Sequence, residues 1–363
     1  MKVLIVGGGV IGLMTARELI REGIDVVVVE RGQIGKEASW AGGGIVSPLY
    51  PWRYSAAVTA LSGMAQSLYP ALAEALWQES GINPEYYPCG MLMLDPDDEA
   101  AAVDWSRNNH REHRLLESQD LAGMGYRSPG FRRGLWLPGI ANIRNPRLMA
   151  SLRASLVAHG AEFREAATVV GWDREAGRLG SVRLASGERL HADAFILAAG
   201  AWSGGLLTQL DIQLPVEPVK GQMLLYRAEP GVLTHIALHQ GHYVIPRMDG
   251  HILCGSTLEH TGFLKESTPD ALAMLSGVAE SLVPALRGMK PVAHWAGLRP
   301  GAPDGIPFIG RVEPYDNLWI NTGQFRNGLV LAPASARLLS ALMTGRPPEI
   351  DPSPYSPSLR RMA

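Results

Sequence analysis

Short unbroken apolar runs alternate along the chain with longer stretches of helical spacing, and residues 1–30 set the pattern. Val3 to Val6 is apolar at every position and rich in branched side chains, as a strand buried on both faces of a parallel sheet requires. It breaks at Gly7-Gly8-Gly9-Val10-Ile11-Gly12. Ile11, Leu13, Met14, Leu19 and Ile20 then recur near helical spacing until Gly23, a stop signal. Val26-Val27-Val28-Val29 is a second buried run, and it ends at Glu30. The opening therefore predicts β-α-β.

A long helical pattern from Ser55 to Glu79 follows a loop rich in proline and aromatic residues. From there to about Arg144 the chain reads as charged helices and turns, an excursion out of the first domain. Asn145-Pro146 supplies an N-cap and N1 for a helix to His159. Thr168 to Val170, Val182 to Leu184 and Ala194 to Leu197 read as strands, the last entering Ala198-Ala199-Gly200-Ala201-Trp202-Ser203 as a second strand-glycine-helix passage. Val216 to Ile252 predicts an antiparallel sheet with one face to water, and Asp270 to Leu286 a helix lying on it. Leu318-Trp319-Ile320 is one more buried strand before Arg326-Asn327-Gly328 and a closing helix to about Met343. No internal repeat or low-complexity segment interrupts this order.

A chain of 363 residues exceeds one ordinary core, so two packed units are expected. With 33 basic and 35 acidic side chains it has no basic field for a polyphosphate backbone, which argues against nucleic acid as a partner. No run of about eighteen uncharged apolar residues predicts a membrane span. Cys89 and Cys254 stand far apart, too few for a disulfide framework or a CxxC site, and a reducing, cytoplasmic setting is expected. The apolar start runs into glycines and a charged amphipathic segment, without the small-residue cleavage site of a leader.

Gly7-x-Gly9-x-x-Gly12 gains meaning from its context: a strand before it, a helix after it, and Glu30 at a strand end eighteen residues past Gly12. Gly7 permits the tight turn, Gly9 lets a pyrophosphate approach the backbone at a helix N-terminus, and Gly12 allows close helix-strand packing. Glu30 would accept hydrogen bonds from a ribose. The plain alternative is a glycine-rich turn with no ligand, and the pattern by itself does not separate NAD from FAD.

Four further segments separate them: Ala38-Ser39-Trp40-Ala41-Gly42-Gly43-Gly44-Ile45, Tyr243-Val244-Ile245-Pro246-Arg247, Trp295-Ala296-Gly297-Leu298-Arg299-Pro300 and Gly323-Gln324-Phe325-Arg326-Asn327-Gly328. In these the chain resembles the D-amino acid oxidase family, most closely its glycine oxidases of the thiamine pathway. The resemblance runs in order over nearly the whole length. It implies an α/β protein: a Rossmann-like FAD-binding domain, discontinuous over 1–50, 141–215 and 300–345, and an α+β substrate domain with an antiparallel sheet over 51–140 and 216–299, followed by a tail, 346–363. By the same resemblance Val10, Ile11, Glu30 and Arg31 hold the ADP half of FAD, and Ala38, Ser39, Gly43, Gly44 and Ile45 lie along the flavin. The resemblance also puts Val169 at the adenine and Gly200, Gln324 and Phe325 in the cofactor site, and implies that the turn Arg326, Asn327, Gly328, Leu329 and Val330 brings backbone N–H groups toward the flavin pyrimidine ring, where donors stabilise a reduced, anionic ring.

Tyr243, Arg299 and Arg326 match the positions that bind the amino acid in glycine oxidases. A guanidinium fork suits a carboxylate and fixes its orientation. Read without the resemblance, Arg299 is a structural salt bridge at a strand end, Arg326 a helix N-terminal residue facing phosphate or solvent, and Tyr243 a core tyrosine. Two positions depart from the pattern: Gly241 stands where a histidine is expected, with His242 and His239 close by, and Leu258 replaces a methionine in the substrate pocket. The two histidines could be metal ligands, but no third ligand is evident and a loop role is favoured; no metal is expected. No cysteine follows Arg299-Pro300, where sarcosine oxidases tether flavin, so FAD is expected to be non-covalent. The implied reaction is oxidation of a small amino acid, namely glycine, sarcosine or a small D-amino acid. The products are an oxo acid, ammonia and, with molecular oxygen as acceptor, hydrogen peroxide, in supply of the thiamine thiazole. The rivals are a D-amino acid dehydrogenase serving a quinone or carrier, and a non-catalytic FAD-binding protein. A homo-oligomer is compatible with the sequence. Tyr50-Pro51-Trp52-Arg53-Tyr54 is the candidate lid.

Overall fold

The computed structural model describes residues 1–126, 130–175 and 177–358. Its opening is the predicted β1 (Lys2–Val6), α1 (Val10–Arg21) and β2 (Asp25–Val29). β1 and β2 pair in parallel within a six-stranded sheet of order Phe308–Arg311, Leu318–Thr322, Ala194–Leu197, β1, β2, Glu162–Arg164. All its pairings are parallel except that of Phe308–Arg311 with Leu318–Thr322.

The unalternating runs follow from cover on both faces. Val3 and Ile5 pack with Leu13, Leu61, Leu152 and Leu331, from α1 and the helices Ala56–Ser80, Asn145–Ala158 and Gly328–Thr344. Leu4 and Val6 point the other way, into a core with Trp172, Val182 and Phe195. Trp172 and Val182 belong to a three-stranded sheet of Val169–Glu175, Arg178–Leu184 and Arg189–His191. Successive side chains leave a strand on opposite sides, so only a strand covered on both can be apolar throughout.

The second sheet has eight strands in the order Ala293–Gly301, Glu217–Arg227, His251–Gly255, His242–Pro246, Ile236–His239, Met91–Leu94, Arg133–Leu137, Arg114–Glu117. It is antiparallel apart from the pairing of Ile236–His239 with Met91–Leu94. Two expectations are corrected here. The sheet does not leave a face to water at its centre: the helix Pro269–Leu282 sets Leu275, Ala279 and Leu282 against Leu224, Tyr226, Val244 and Cys254, while Met223, Tyr243, Ile245 and Leu253 form a core with Leu49 on the other side. The stretch before Arg144 is also not all helix and turn, since it lends this sheet three strands.

Smaller departures lie at element ends. Asn145 is the first residue of its helix rather than the cap, and its side-chain amide donates to the Ser39 carbonyl at 2.7 Å. The helix expected to reach Leu286 ends at Leu282 and is followed by a 3-10 turn, Pro284–Leu286. In the tail, Tyr355 is buried and donates to the Ala57 carbonyl at 2.7 Å, while residues 359–363 lie outside the described residues.

Candidate active site

β1, β2 and Ala194–Leu197 all end at Gly7, Glu30 and Ala198, which line one side of a cavity of about 490 Å³. A crevice at the carboxyl ends of parallel strands is where such sheets receive ligands. Gly7 has φ +116°, and a Cβ there would stand 2.4 Å from the Ala198 carbonyl oxygen. Gly12 does not line the cavity; a Cβ on it would meet the Gly7 carbonyl oxygen at 2.0 Å, so it is the packing glycine of the turn. The Glu30 carboxylate accepts from the Gly8 and Gly32 N–H groups, each at 2.9 Å, and has capacity for further donors where Glu30 lines the cavity. Arg31 lies over the Trp202 ring, 3.6 Å from its centre, and pairs with Glu37 at 2.8 Å.

Gly9, Val10, Ile11, Ala38, Ser39, Gly43, Gly44, Ile45, Val169 and Gly200 line the same cavity, as does the turn from Gln324 to Val330. The Ser39 hydroxyl accepts from the Val10 N–H at 2.8 Å and so fixes this segment at the N-terminus of α1. The turn is a 3-10 segment, Phe325–Asn327, running straight into the closing helix, and the buried Tyr69 hydroxyl holds it through the Leu329 carbonyl.

Two buried side-chain atoms in the lining have no protein partner, Asn327 Nδ2 and Asn145 Oδ1. An unpaired donor and an unpaired acceptor buried in residues of one lining mark it as a polar site whose partners lie outside the chain. Sequence reading missed Asn145 in this role because Asn-Pro is also an ordinary helix start. With the glycine turn, the helix N-terminus and Glu30, the lining fits a dinucleotide flavin. Bound there, FAD would be held by Gly7 to Ile11 and Glu30 at its nucleotide end and by residues 38–45 and 324–330 at its ring.

Tyr243, Ser256, Arg299 and Arg326 meet at one part of this lining. Arg299 sits on Ala293–Gly301 with its guanidinium flat against Gly221, where a Cβ would come within 2.2 Å. It donates to the Lys220 carbonyl at 3.3 Å, the Thr257 carbonyl at 3.2 Å and the Ser256 hydroxyl at 2.8 Å. Burial pushes its pKa down and the Tyr243 hydroxyl opposes this, while the nearby Arg326 charge adds to the fall. Tyr243 is buried, with its hydroxyl 3.6 Å from the Met223 sulfur. The Arg326 guanidinium has no hydrogen-bond or ion-pair partner among the described residues.

Leu258 is corrected: it is exposed and does not line this cavity. It borders an outer chamber of about 680 Å³ with Gly241, His242, Glu259 and Asp270, joined to the inner one by the shared walls Ser256 and Arg326. His239 and His242 face each other across a hairpin, and among the described residues no group of three metal-binding side chains exists. Burial, then the Arg326 charge, pushes the His242 pKa down. The Tyr50 to Tyr54 loop is fastened at both ends: the Tyr50 hydroxyl accepts from the Gly241 N–H at 2.8 Å, and Trp52 Nε1 and Arg53 Nε donate to Asp98 at 2.6 and 2.7 Å.

Residues 2–342 match the model of the FAD dependent oxidoreductase family. The chain is 53% identical to the glycine oxidase of Pseudomonas aeruginosa, covering 99% of each, and 32% identical to the bifunctional protein ThiO/ThiG of Trichormus variabilis, covering 93% of this chain and 52% of that longer one. Its fold is similar to the crystal structure of glycine oxidase from Geobacillus kaustophilus, with a TM-score of 0.93, 27% identity and coverage of 99% and 98%. The glycine turn at the end of β1, the residues that line the cavity and these matches lead to one conclusion: the chain belongs to the FAD dependent oxidoreductase family.

Proposed function

We propose that the protein oxidises glycine and other small amino acids, sarcosine and small D-amino acids among them, and passes the electrons to molecular oxygen. The observation that carries this reading is the uncommitted Arg326 guanidinium beside Arg299 and Tyr243 at one part of the cavity. Two cations with spare donors and no carboxylate of the protein upon them suit the carboxylate of an amino acid. Bound FAD supplies the acceptor for a hydride from the substrate Cα. The protein's own part is orientation. Arg299 and Arg326 hold the carboxylate, Tyr243 closes the wall beside it, and no protein base is required if the amine enters neutral. In this division 1–50, 141–215 and 300–345 hold the cofactor, and 51–140 and 216–299 roof the substrate. The resemblance to glycine oxidases of the thiamine pathway supports a role in supplying the thiazole precursor.

The test is an anaerobic screen in which amino acids are mixed with the purified protein and flavin absorbance is followed, then repeated in air with peroxide detection. Bleaching by glycine and peroxide in air are expected. Bleaching without peroxide would assign the electrons to a quinone or carrier, and no bleaching by any amino acid would remove the catalytic reading.

A further inference from the structure

The acceptors that hold Arg299 are themselves held by a charge pair outside the cofactor cavity, with its cation buried and its anion partly exposed. Lys220 is almost wholly buried, and its ammonium pairs with the Glu259 carboxylate at 2.8 Å. The same two residues bond through their backbones in both directions, Lys220 N–H to the Glu259 carbonyl at 2.9 Å and Glu259 N–H to the Lys220 carbonyl at 3.0 Å. That Lys220 carbonyl is one of the acceptors of Arg299. A second acceptor, the Thr257 carbonyl, lies two residues before Glu259, and the Thr257 hydroxyl donates to the Glu259 carboxylate. Gln222, fully buried, donates its amide to the same carboxylate at 2.8 Å and so completes three donors on one anion.

A buried ammonium costs free energy unless it is paired, and a hydrophobic pair of the same shape would often be as stable, so this pair needs a reason other than stability. Its position supplies one. The Lys220 carbonyl accepts from both Glu259 and Arg299, so the spacing of the two segments sets the plane of the guanidinium. Glu259 also neutralises Lys220, which leaves the substrate carboxylate opposite Arg299 and Arg326 alone.

We propose that the Lys220–Glu259 pair is the positioning device for Arg299. It fixes the carbonyls on which the guanidinium hangs, and so the angle at which a substrate carboxylate is received. This rests on the reading of Arg299 as a carboxylate-binding residue.

Glu259→Gln keeps an acceptor for Gln222 and Thr257 but breaks the ion pair. The variant should bind FAD normally and show a glycine KM raised about tenfold or more, with kcat lowered as well, since a small misplacement of an orienting group costs rate. Turnover of a primary amine without a carboxylate should not change. Lys220→Met combined with Glu259→Gln lacks the same tie but leaves no unpaired buried ammonium, and it should keep the raised glycine KM. If Glu259→Gln misfolds or loses flavin, that double variant decides instead, because it lacks the pair without stranding a charge, and a raised glycine KM is again expected. An unchanged glycine KM in a flavin-loaded variant overturns the proposal, and so does an equal loss for glycine and for the carboxylate-free amine. A parent protein that does not oxidise glycine fails the functional reading instead, and that outcome is read before any variant is made.

Discussion

Arg299 and Arg326 offer the same chemical group to the same cavity with different commitments. Arg299 donates to two carbonyls and a hydroxyl, whereas Arg326 has no partner among the described residues. Arg299 is therefore oriented before a ligand arrives, and Arg326 is free to move onto one. Arg299→Ala should lose about 2–5 kcal/mol in kcat/KM for glycine, the scale for truncating one partner of a buried, hydrogen-bonded charge pair. Arg299→Lys should fall between parent and alanine, since a lysine restores charge but not the fork. FAD content, read from the 280 nm to visible absorbance ratio, should stay at the parent level. An alanine variant within a fewfold of the parent would move the carboxylate to Arg326. Both arginines were legible in sequence through their neighbours, Trp295 to Pro300 and Gly323 to Gly328. The partners of Arg299 were not, because Lys220, Ser256 and Thr257 come from segments whose approach depends on strand pairing. Asn145 and Asn327 were half legible: their segments stood out, but not the unpaired amide atoms buried in the cavity lining.

At the scale of elements, three helices meet at one buried ion pair. Arg17 of α1 reaches Glu79 at the end of Ala56–Ser80 and the Ser155 hydroxyl of Asn145–Ala158, and that hydroxyl bonds Glu79 in turn. The Arg17 hydrogen bonds, helped by Ser155, hold the Glu79 carboxyl down to about 2 from an ordinary 4.5. A carboxylate whose folded pKa is depressed adds stability that is full above its unfolded pKa and is lost as pH falls through the folded one. Glu79→Gln should therefore cost about 1–3 kcal/mol in urea unfolding at neutral pH, between the scale of an exposed pair and that of a fully buried one, because Glu79 still touches water. The gap to the parent should narrow between pH 4.5 and about 2. A gap independent of pH would mean that packing, not the carboxylate, is responsible. The long helices were legible because their periodicity is local, and Ser55 caps Ala56–Ser80 as its side chain suggests, accepting from the Val58 N–H at 3.4 Å. Met91–Leu94, Arg114–Glu117 and Arg133–Leu137 were not legible. A strand of this length takes its identity from partners, and Met91–Leu94 finds its own in Ile236–His239 and Arg133–Leu137, far along the chain.

The whole molecule encloses its cofactor cavity between the parallel sheet and the eight-stranded one, with walls from both ends of the chain. Neither thiol reaches it. Cys89 accepts from the Asn142 amide at 3.1 Å, and Cys254 lies under the helix Pro269–Leu282, where burial pushes its thiol up to about 12. Acid precipitation should accordingly leave FAD in the supernatant, identified by its mass; flavin in the pellet would contradict this.

The loop Tyr50 to Tyr54 is tied on both sides to distant parts of the chain. The loop after the flavin-lining glycines contributes Leu49 to the cavity, then anchors Tyr50 to the hairpin turn at Gly241 and both Trp52 and Arg53 to Asp98. These ties join three distant parts of the chain, so the roof yields only if a tie is cut. Glycine, sarcosine and D-alanine should show higher kcat/KM than D-phenylalanine. Asp98→Ala removes the shared acceptor of Trp52 and Arg53 without touching the cavity lining, and it should raise the D-phenylalanine to glycine ratio severalfold while FAD binding stays intact. If the parent already prefers D-phenylalanine, the small-substrate reading fails. If the parent prefers glycine and Asp98→Ala leaves the ratio where it was, the size limit lies in the walls at Tyr243 and Ile45 rather than in the loop.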